Sequence, residues 1–395
     1  MNFRESAMAL KDQLTEYRRD FHMHPEVSFC EERTSAVIRK FLEDNGIEIQ
    51  EVGAGYSVVG VIRGAHPGKT FAVRADIDAL PMPELNDVPY KSTVENVMHA
   101  CGHDAHTASL MGVALLINSV KDQMHGNVKL LFQAAEEKLP GGAKELCDKG
   151  ALENPYVDAV MGFHVANPLP VGKIAFAPGP SAAATDTYRF KVVGKGGHGA
   201  YPHMCIDPVM ISANIITSFQ SIVSRNVEPT ESSVITVGCI HGGSKENIIA
   251  DEVEFAATVR SHSEEVRNLL HDRIFEVCKG AEIMYNCKVE IEVDWGYPVL
   301  ISDGDFINKY AVPSCAKIEG AENIMVMNMK SMGGEDFAYY LQHRPGCFGS
   351  LGSGNVEKGL VRGGHTSLFD LDEEAIWHGA ACLAQCAWDF LEDNK

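Results

Sequence analysis

The sequence lacks any uncharged apolar run of the length that a membrane span needs, and charges interrupt its amino-terminal segment, so no signal peptide is predicted. Positive charge is also scarce: 34 Lys and Arg residues stand against 54 Asp and Glu residues, which gives a net charge of -20 at pH 7. A field of this sign repels phosphate backbones and anionic lipid headgroups. We therefore expect a cytoplasmic protein whose partners are neither nucleic acids nor membranes.

The sequence also lacks a disulfide framework, because its 11 cysteines are odd in number and follow no regular spacing. Such cysteines are typical of reduced thiols in an intracellular protein, and we expect most of them to fill the core. The chain has 395 residues, of which 45% are hydrophobic and 22% charged, as in folded globular proteins. Its length predicts two domains.

Strand-like and helix-like segments alternate in the first part of the chain. Residues 57–64, 69–76, 127–135 and 156–164 are rich in β-forming residues. The segment HDAHTASLMGVALLINSV, between the second and third of these runs, has helical spacing of its apolar residues. This alternation predicts an α/β sheet flanked by helices.

A second domain is predicted in the middle of the chain. The passage PLPVGKIAFAPGPSAAA is rich in proline, glycine and alanine, as domain junctions are, and we place a boundary near Pro180. Residues 181–295 then follow the order βαββαβ, which is typical of a ferredoxin-like domain. We therefore predict an α/β domain of residues 1–180 plus 296–395, interrupted by a smaller α+β domain of residues 181–295.

Potential metal ligands follow several of the predicted strands. The stretch MHACGHDAHTA places Cys101 and His103 around a glycine, and LLFQAAEE ends a very apolar run with two carboxylates, Glu136 and Glu137. Two further histidines, His164 in DAVMGFH and His365 in RGGHTSLFD, have similar positions. Each feature alone has a structural explanation, such as acids at a helix start or a histidine in the core. Together at one sheet edge they predict a metal centre, and five ligands plus water suggest two metals.

The motifs MHACGHDAHTA, AAEE, GFH, GKGGHGAYPH, GGEDFAYYL and GGHTSLFDLDE occur in an order and at separations that resemble one enzyme family. This is the amidohydrolase branch of the dinuclear aminoacylase/carboxypeptidase metallopeptidases, which includes hippurate hydrolase and indole-acetyl-amino-acid hydrolases. The resemblance covers nearly the whole chain. It implies a metallopeptidase catalytic domain that carries an inserted dimerisation domain, and hence a homodimer or a higher homo-oligomer.

The resemblance also implies roles for individual residues. The implied metal ligands are Cys101, His103, Glu137, His164 and His365. Glu136 is implied as the catalytic base, and His198 as a histidine that reaches the active site of the partner subunit. The resemblance further implies that Asn247 and Arg260 hold the terminal carboxylate of the substrate.

Three further acidic residues lie outside this set. Asp78 matches a bridging aspartate of carboxypeptidase relatives. Because the Cys101 thiolate takes over bridging in this branch, we expect Asp78 to support the ligands by hydrogen bonding. Glu335 and Asp336 are candidates for the cleft wall, but the sequence assigns them no role.

The sequence therefore predicts a metal-dependent hydrolase that splits N-acyl-amino acids into a carboxylic acid and a free amino acid. Zinc or manganese is favoured for the two divalent ions, with cobalt or nickel as alternatives. A dipeptidase or carboxypeptidase of the same family is the second hypothesis. A metal-binding protein without turnover, and a hydrolase that uses Cys101 as its nucleophile, are weaker hypotheses.

Overall fold

Helices and strands alternate along the chain, and they form two units that are each described separately. The computed structural model describes residues 1–395. The first unit comprises Met1–Gly179, Ile301–Met329 and Asp336–Lys395, and the second comprises Pro180–Leu300 and Lys330–Glu335.

The strands are β1 (Glu48–Gln50), β2 (Val58–Arg63), β3 (His66–Asp76), β4 (His125–Gln133), β5 (Ala159–Pro170), β6 (Ile174–Phe176), β7 (Gly179–Ala182), β8 (Ala184–Val193), β9 (Gly197–His198), β10 (Ser233–Gly242), β11 (Ile248–Ile249), β12 (Glu252–Ser261), β13 (Lys288–Asp294), β14 (Leu300–Ser302), β15 (Ile324–Val326) and β16 (Gly346–Gly354). The α-helices are α1 (Arg4–Ala9), α2 (Lys11–Met23), α3 (Glu32–Asp44), α4 (His103–Asn118), α5 (Gly142–Asp148), α6 (Pro208–Arg225), α7 (Glu264–Tyr285), α8 (Gly304–Phe306), α9 (Val312–Glu319), α10 (Ala338–His343) and α11 (Glu374–Asp393).

The first unit contains an eight-stranded mixed sheet in the order β1-β2-β4-β3-β5-β16-β6-β15. Its centre is parallel, because β3 pairs in parallel with both β4 and β5, and β16 pairs in parallel with β5. Most residues of these central strands are buried, as expected for parallel strands covered by helices on both faces. The predicted α/β sheet flanked by helices is confirmed.

Helix α4 packs in the middle of the first unit and leads away from the metal-ligand region. Nearly all of its residues are buried, so the rest of the unit encloses this helix on every side. It begins after Gly102, whose φ of +90° is a conformation that glycine adopts readily. A Cβ at Gly102 would lie 2.4 Å from Cγ2 of Val165, so glycine also allows close approach to β5.

The second unit is a four-stranded antiparallel sheet in the order β10-β12-β8-β13, with α6 and α7 packed on it. This is the βαββαβ order that the sequence predicts. Both long helices have side-chain caps: Asp207 accepts from the N–H of Val209, and Ser263 accepts from the N–H of Val266.

Two short segments, 296–300 and 330–335, belong to a different unit from the one predicted. Residues 330–335 fall in the range that the sequence assigns to the first domain, yet they pack with the second unit. The cause is hydrogen bonding between distant parts of the chain. Ser331 donates its N–H to Ser181, and its carbonyl is 2.9 Å from Nε2 of His262.

The helices and the cysteines bear on the expected class of protein. None of the helices combines the length and the apolar character that a membrane crossing requires. All of the cysteines are free thiols, and those at positions 278, 315, 347, 382 and 386 are buried.

Candidate metal centre

Several predicted residues of the metal site lie on or just after adjacent parallel strands. Asp78 comes just after β3, Glu136 and Glu137 follow β4, and His164 lies on β5. Because β4, β3 and β5 are neighbours and run in the same direction, these residues meet at the carboxyl edge of the sheet. The expectation that β5 ends at His164 is wrong, since this strand continues to Pro170.

The five predicted ligands come together in two groups of three that share Cys101. The first group is Cys101, His103 and His164, and the second is Cys101, Glu137 and His365. Within each group the potential ligand atoms all lie within 4.8 Å of one another. Such an arrangement would supply ligands to two cations, with Cys101 common to both groups.

His365 enters this cluster from a loop far along the chain. Its N–H donates to the carbonyl of Ala100 at 2.7 Å, which ties the loop to the Cys101 turn. Its Nε2 lies 3.2 Å from Oε1 of Glu137. The side chain is 57% exposed, whereas the side chain of His103 is 1% exposed, so the cluster opens to solvent on the His365 side.

The chemistry of the donor set fits divalent cations. Imidazole, thiolate and carboxylate are the ligands that zinc and related ions take. The Nε2 atom of His103 is buried without a hydrogen-bond partner, although buried polar atoms are normally satisfied. Burial raises the pKa of the Cys101 thiol well above its usual range, so a bound cation is what would favour the thiolate.

Hydrogen bonds orient the imidazoles of two predicted ligands. Nδ1 of His103 lies 3.0 Å from the carbonyl oxygen of Asp78 and 3.1 Å from its Oδ1, so this nitrogen carries the proton. Nδ1 of His164 lies 2.7 Å from the carbonyl of Val165. In both residues Nε2 is therefore the atom available to a metal, and Asp78 has the supporting position expected for it.

A buried ionic network lies behind the ligands, and the sequence does not reveal it. Arg74 donates to Asp76 and to Asp336, each at 2.7 Å, and all three side chains are inaccessible to solvent. Asp76 in turn binds Nδ1 of His106 at 2.6 Å. Nε2 of His106 accepts the N–H of Val165 at 2.9 Å, which restrains the backbone next to His164.

This network gives Asp336 a structural position that the sequence leaves open. Its carboxylate also accepts from Nε2 of Gln133 and from the N–H of Ala143, which joins the end of β4 to the start of α5. The sequence signal for the network is the presence of two charged residues, Arg74 and Asp76, at the end of the apolar run TFAVRAD. Glu335 is buried in the 330–335 segment of the second unit.

Glu136, the predicted base, lies beside the predicted ligands. It is 7% exposed, and one of its oxygens lies within 4.8 Å of the nearest potential ligand atoms of His103 and Glu137. The two adjacent carboxylates therefore both face the cluster.

The other predicted site residues, His198, Asn247 and Arg260, lie in the second unit. His198 is exposed on β9, and its Nδ1 accepts the N–H of Ala200 at 3.1 Å, so its neutral ring carries the proton on Nε2. Asn247 is nearby, since its carbonyl accepts the N–H of Gly199 at 2.9 Å. The guanidinium of Arg260 on β12 donates to the carbonyl of Met332 at 2.5 Å.

Arg260 and the His198 ribbon lie toward opposite ends of the second unit. The chain enters β12 at Glu252, directly after β11, which pairs with β9. Arg260 is eight residues further along the strand and therefore about 26 Å from that end. Within one chain, His198 and Arg260 are thus well separated.

Comparison with known proteins identifies the family. Residues 72–389 match the model of peptidase family M20/M25/M40. The putative amidohydrolase YhaA of Bacillus subtilis is 41% identical over 95% of this chain and 94% of its own. The N-acyl-L-amino acid amidohydrolase of Geobacillus stearothermophilus is 39% identical over 75% of this chain and 80% of its own. Thermostable carboxypeptidase 2 of Saccharolobus solfataricus is 38% identical over 96% of both chains.

Solved structures agree with these sequence matches. A putative aminohydrolase from methicillin-resistant Staphylococcus aureus superposes with a TM-score of 0.94 at 34% identity, covering 99% of this chain and 100% of that one. A dinuclear metal-binding peptidase of the M20 family from Bacillus subtilis gives a TM-score of 0.84, also at 34% identity, covering 98% and 99%. The predicted resemblance and the predicted class of enzyme, a hydrolase of amide bonds, are confirmed. This chain belongs to peptidase family M20/M25/M40.

Proposed function

We propose that this protein hydrolyses N-acyl-amino acids to a carboxylic acid and a free amino acid, with two divalent cations at the cluster. The observation that carries the proposal is the pair of ligand groups that share Cys101, with the Glu136 carboxylate directly beside them. The proposed ligands are Cys101, His103, Glu137, His164 and His365. Zinc or manganese suits this mixture of sulfur, nitrogen and oxygen donors.

The cations, when bound, would lower the pKa of the attacking water and polarise the substrate carbonyl. Glu136 takes a proton from that water while the water oxygen attacks the carbonyl carbon. It then delivers this proton to the nitrogen when the carbon–nitrogen bond breaks. The burial of Glu136 keeps this proton exchange away from bulk solvent. Of the two adjacent carboxylates, Glu137 thus binds metal and Glu136 transfers the proton.

Two other hypotheses fit the cluster less well. A protein that only binds metal has no use for a buried carboxylate next to the ligand set. A nucleophilic cysteine needs a depressed thiol pKa, whereas burial raises that of Cys101. Its sulfur is moreover common to both ligand groups, where metal binding would consume its lone pairs.

We place the substrate carboxylate against Arg260 and Asn247, and the developing oxyanion against Nε2 of His198. Because Arg260 and the His198 ribbon lie toward opposite ends of β12, one chain does not bring them to the same substrate. We therefore propose that His198 and Asn247 serve the active site of a partner subunit, so that the homodimer is the catalytic form. Free cysteines throughout the chain support a cytoplasmic location.

Replacement of Arg260 by alanine is expected to raise KM for N-acyl-amino acids by about 10- to 100-fold, because a charge-assisted hydrogen bond to the substrate is lost. The corresponding N-acyl-amino-acid amides carry no carboxylate and should show little change. Steady-state kinetics on both series tests this. Arg189, an exposed arginine on β8 paired with Asp294, gives the matched control Arg189→Ala. An equal rise in KM for acids and amides would remove Arg260 from carboxylate recognition.

Metal removal and a substrate panel test the function as a whole. We expect the protein to release amino acids from N-acetyl, N-benzoyl and indole-acetyl substrates, to lose this activity on chelation, and to regain it with zinc or manganese. The panel includes unblocked dipeptides, because a carboxypeptidase is among the relatives. Cleavage confined to dipeptides would replace the proposal with the peptidase alternative. Activity that survives complete metal removal would exclude a metal-dependent reaction.

A further inference from the structure

The turn that presents Glu136 and Glu137 has an unusual backbone. Ala135 has a φ of +53°, in the left-handed region that residues with a Cβ seldom occupy. It lies immediately before Glu136, so its conformation determines the directions in which both carboxylates leave the chain. A non-glycine residue stays in this region only when the surrounding structure holds it there.

Two buried carboxylates accept hydrogen bonds from backbone N–H groups of this turn. Oε1 of Glu31 accepts the N–H of Ala135 at 2.7 Å, and Oδ2 of Asp78 accepts the N–H of Glu137 at 3.0 Å. The amides on either side of Glu136 are thus each bound to a carboxylate. Asp78 also contacts His103, whereas Glu31 contacts the turn itself through the Ala135 amide.

Glu31 has no evident purpose apart from this contact. It is completely buried, and its second oxygen, Oε2, has no hydrogen-bond partner. Such a carboxyl is costly to bury. It precedes α3, yet its side chain does not cap that helix. Glu26 binds the first amides of α3 instead, with its oxygens 2.9 Å from the N of Arg33 and 2.8 Å from the N of Thr34.

We propose that Glu31 is a positioning residue for the catalytic turn: its carboxyl holds the Ala135 amide and so keeps Glu136 and Glu137 directed at the metal cluster. The inference rests on the proposed role of Glu136 as the base. Glu31 thus stabilises the conformation of a turn that lies more than a hundred residues away in the sequence.

Two substitutions separate the hydrogen bond from simple packing. Glu31→Ala removes the acceptor, and we expect kcat to fall by about 10- to 100-fold, since small misplacement of reacting groups has effects of this size. KM should change little, because the groups proposed to bind the substrate carboxylate are untouched. Glu31→Gln keeps an acceptor oxygen for the Ala135 amide. Burial and the nearby Asp78 raise the pKa of Glu31 to about 7, so a neutral amide is a close mimic and should restore most of kcat.

A third substitution keeps the proposal testable should Glu31→Ala fold poorly. Glycine adopts the left-handed conformation without the cost that a Cβ brings. If Glu31 acts by holding Ala135 there, the loss of kcat caused by Glu31→Ala should be about fivefold smaller in an Ala135→Gly background. Purely additive effects of the two substitutions would contradict the proposal.

Cobalt(II) binding gives a readout that is independent of turnover. In Glu31→Ala we expect the first equivalent of cobalt to bind normally, with its thiolate charge-transfer absorption from Cys101 retained. The second equivalent, which depends on Glu137, should bind about tenfold more weakly, as is usual when a support of a metal ligand is lost. Glu32→Ala, an exposed neighbour, is the matched control and should equal the unmodified protein in both assays.

The possible results separate this inference from the proposed function. Glu31→Ala with unchanged kcat and unchanged cobalt binding would overturn the inference, as would Glu31→Gln that is as impaired as Glu31→Ala. Glu136→Gln is assayed in parallel. Normal turnover in Glu136→Gln would overturn the proposed function, whereas an inactive Glu136→Gln beside a fully active Glu31→Ala would overturn the inference alone.

Discussion

Replacement of Glu136 by glutamine is expected to lower kcat by about 10²- to 10⁴-fold and to leave both metal positions intact. The reason is that glutamine has nearly the shape of glutamate but cannot take a proton from the attacking water or return it to the leaving nitrogen. Glu136 is 7% exposed, so bulk buffer has little access to replace it. Turnover of an N-acetyl-amino acid and the metal content of the purified variant are the two measurements.

Glu137→Gln is the matched comparison, because it changes the adjacent carboxylate in the same way. Glu137 belongs to the ligand group with Cys101 and His365, so this variant should lose activity together with one metal equivalent. The pair therefore distinguishes a base from a ligand by metal content and not by activity. Near-normal turnover in Glu136→Gln would remove Glu136 from the catalytic role, and loss of metal in that variant would make it a ligand.

Replacement of His198 by alanine is expected to lower kcat by about 10²- to 10³-fold, the effect of removing one oxyanion donor. Nδ1 of His198 accepts a hydrogen bond from the Ala200 N–H, so Nε2 is the nitrogen that can donate to the oxyanion. The alanine variant loses this donor. His203, an exposed histidine a few residues further on, provides the control His203→Ala, for which we expect nearly unchanged kinetics. Kinetics of the two variants on one substrate give the comparison.

Mixing Glu136→Gln with His198→Ala tests whether His198 acts across a dimer. In a hybrid dimer, one active site has an intact Glu136 and receives an intact His198 from the other subunit. Random exchange makes half of the dimers hybrid, so about one quarter of the unmodified activity should return. Absence of recovery after demonstrated subunit exchange would place His198 in its own subunit's site or outside catalysis.

Part of the metal cluster could be predicted, because some of its acidic and histidine side chains follow apolar runs. Glu136 and Glu137 follow a run that should be buried, and a sheet of parallel strands brings such residues to one edge. The predicted helical segment HDAHTASLMGVALLINSV corresponds to α4, which spans His103–Asn118. These features depend on local sequence and on the strand order of an α/β sheet, which local patterns determine well.

The groups behind the cluster could not be predicted, because their partners are far away in the sequence. Arg74 and Asp336 are 262 positions apart, and no local pattern relates them. Glu31 resembles any acid near the start of a helix until its contact with Ala135 is known. The assignment of residues 330–335 to the first domain failed for the same reason, since hydrogen bonds to Ser181 and His262 decide it.

The position of β16 has a consequence for the order of events during synthesis. This strand lies between β5 and β6 inside the large sheet, although about 175 residues of chain separate it from them, including the whole second unit. The ribosome therefore releases four of the proposed ligands long before β16 can complete the sheet and before His365 is synthesised. These four are Cys101, His103, Glu137 and His164. The inserted unit, whose strands are nearly contiguous, can fold first, as domains do during translation. With the proposed ligands, the second cation can be bound only after the ribosome has released His365, long after the other four ligands have emerged.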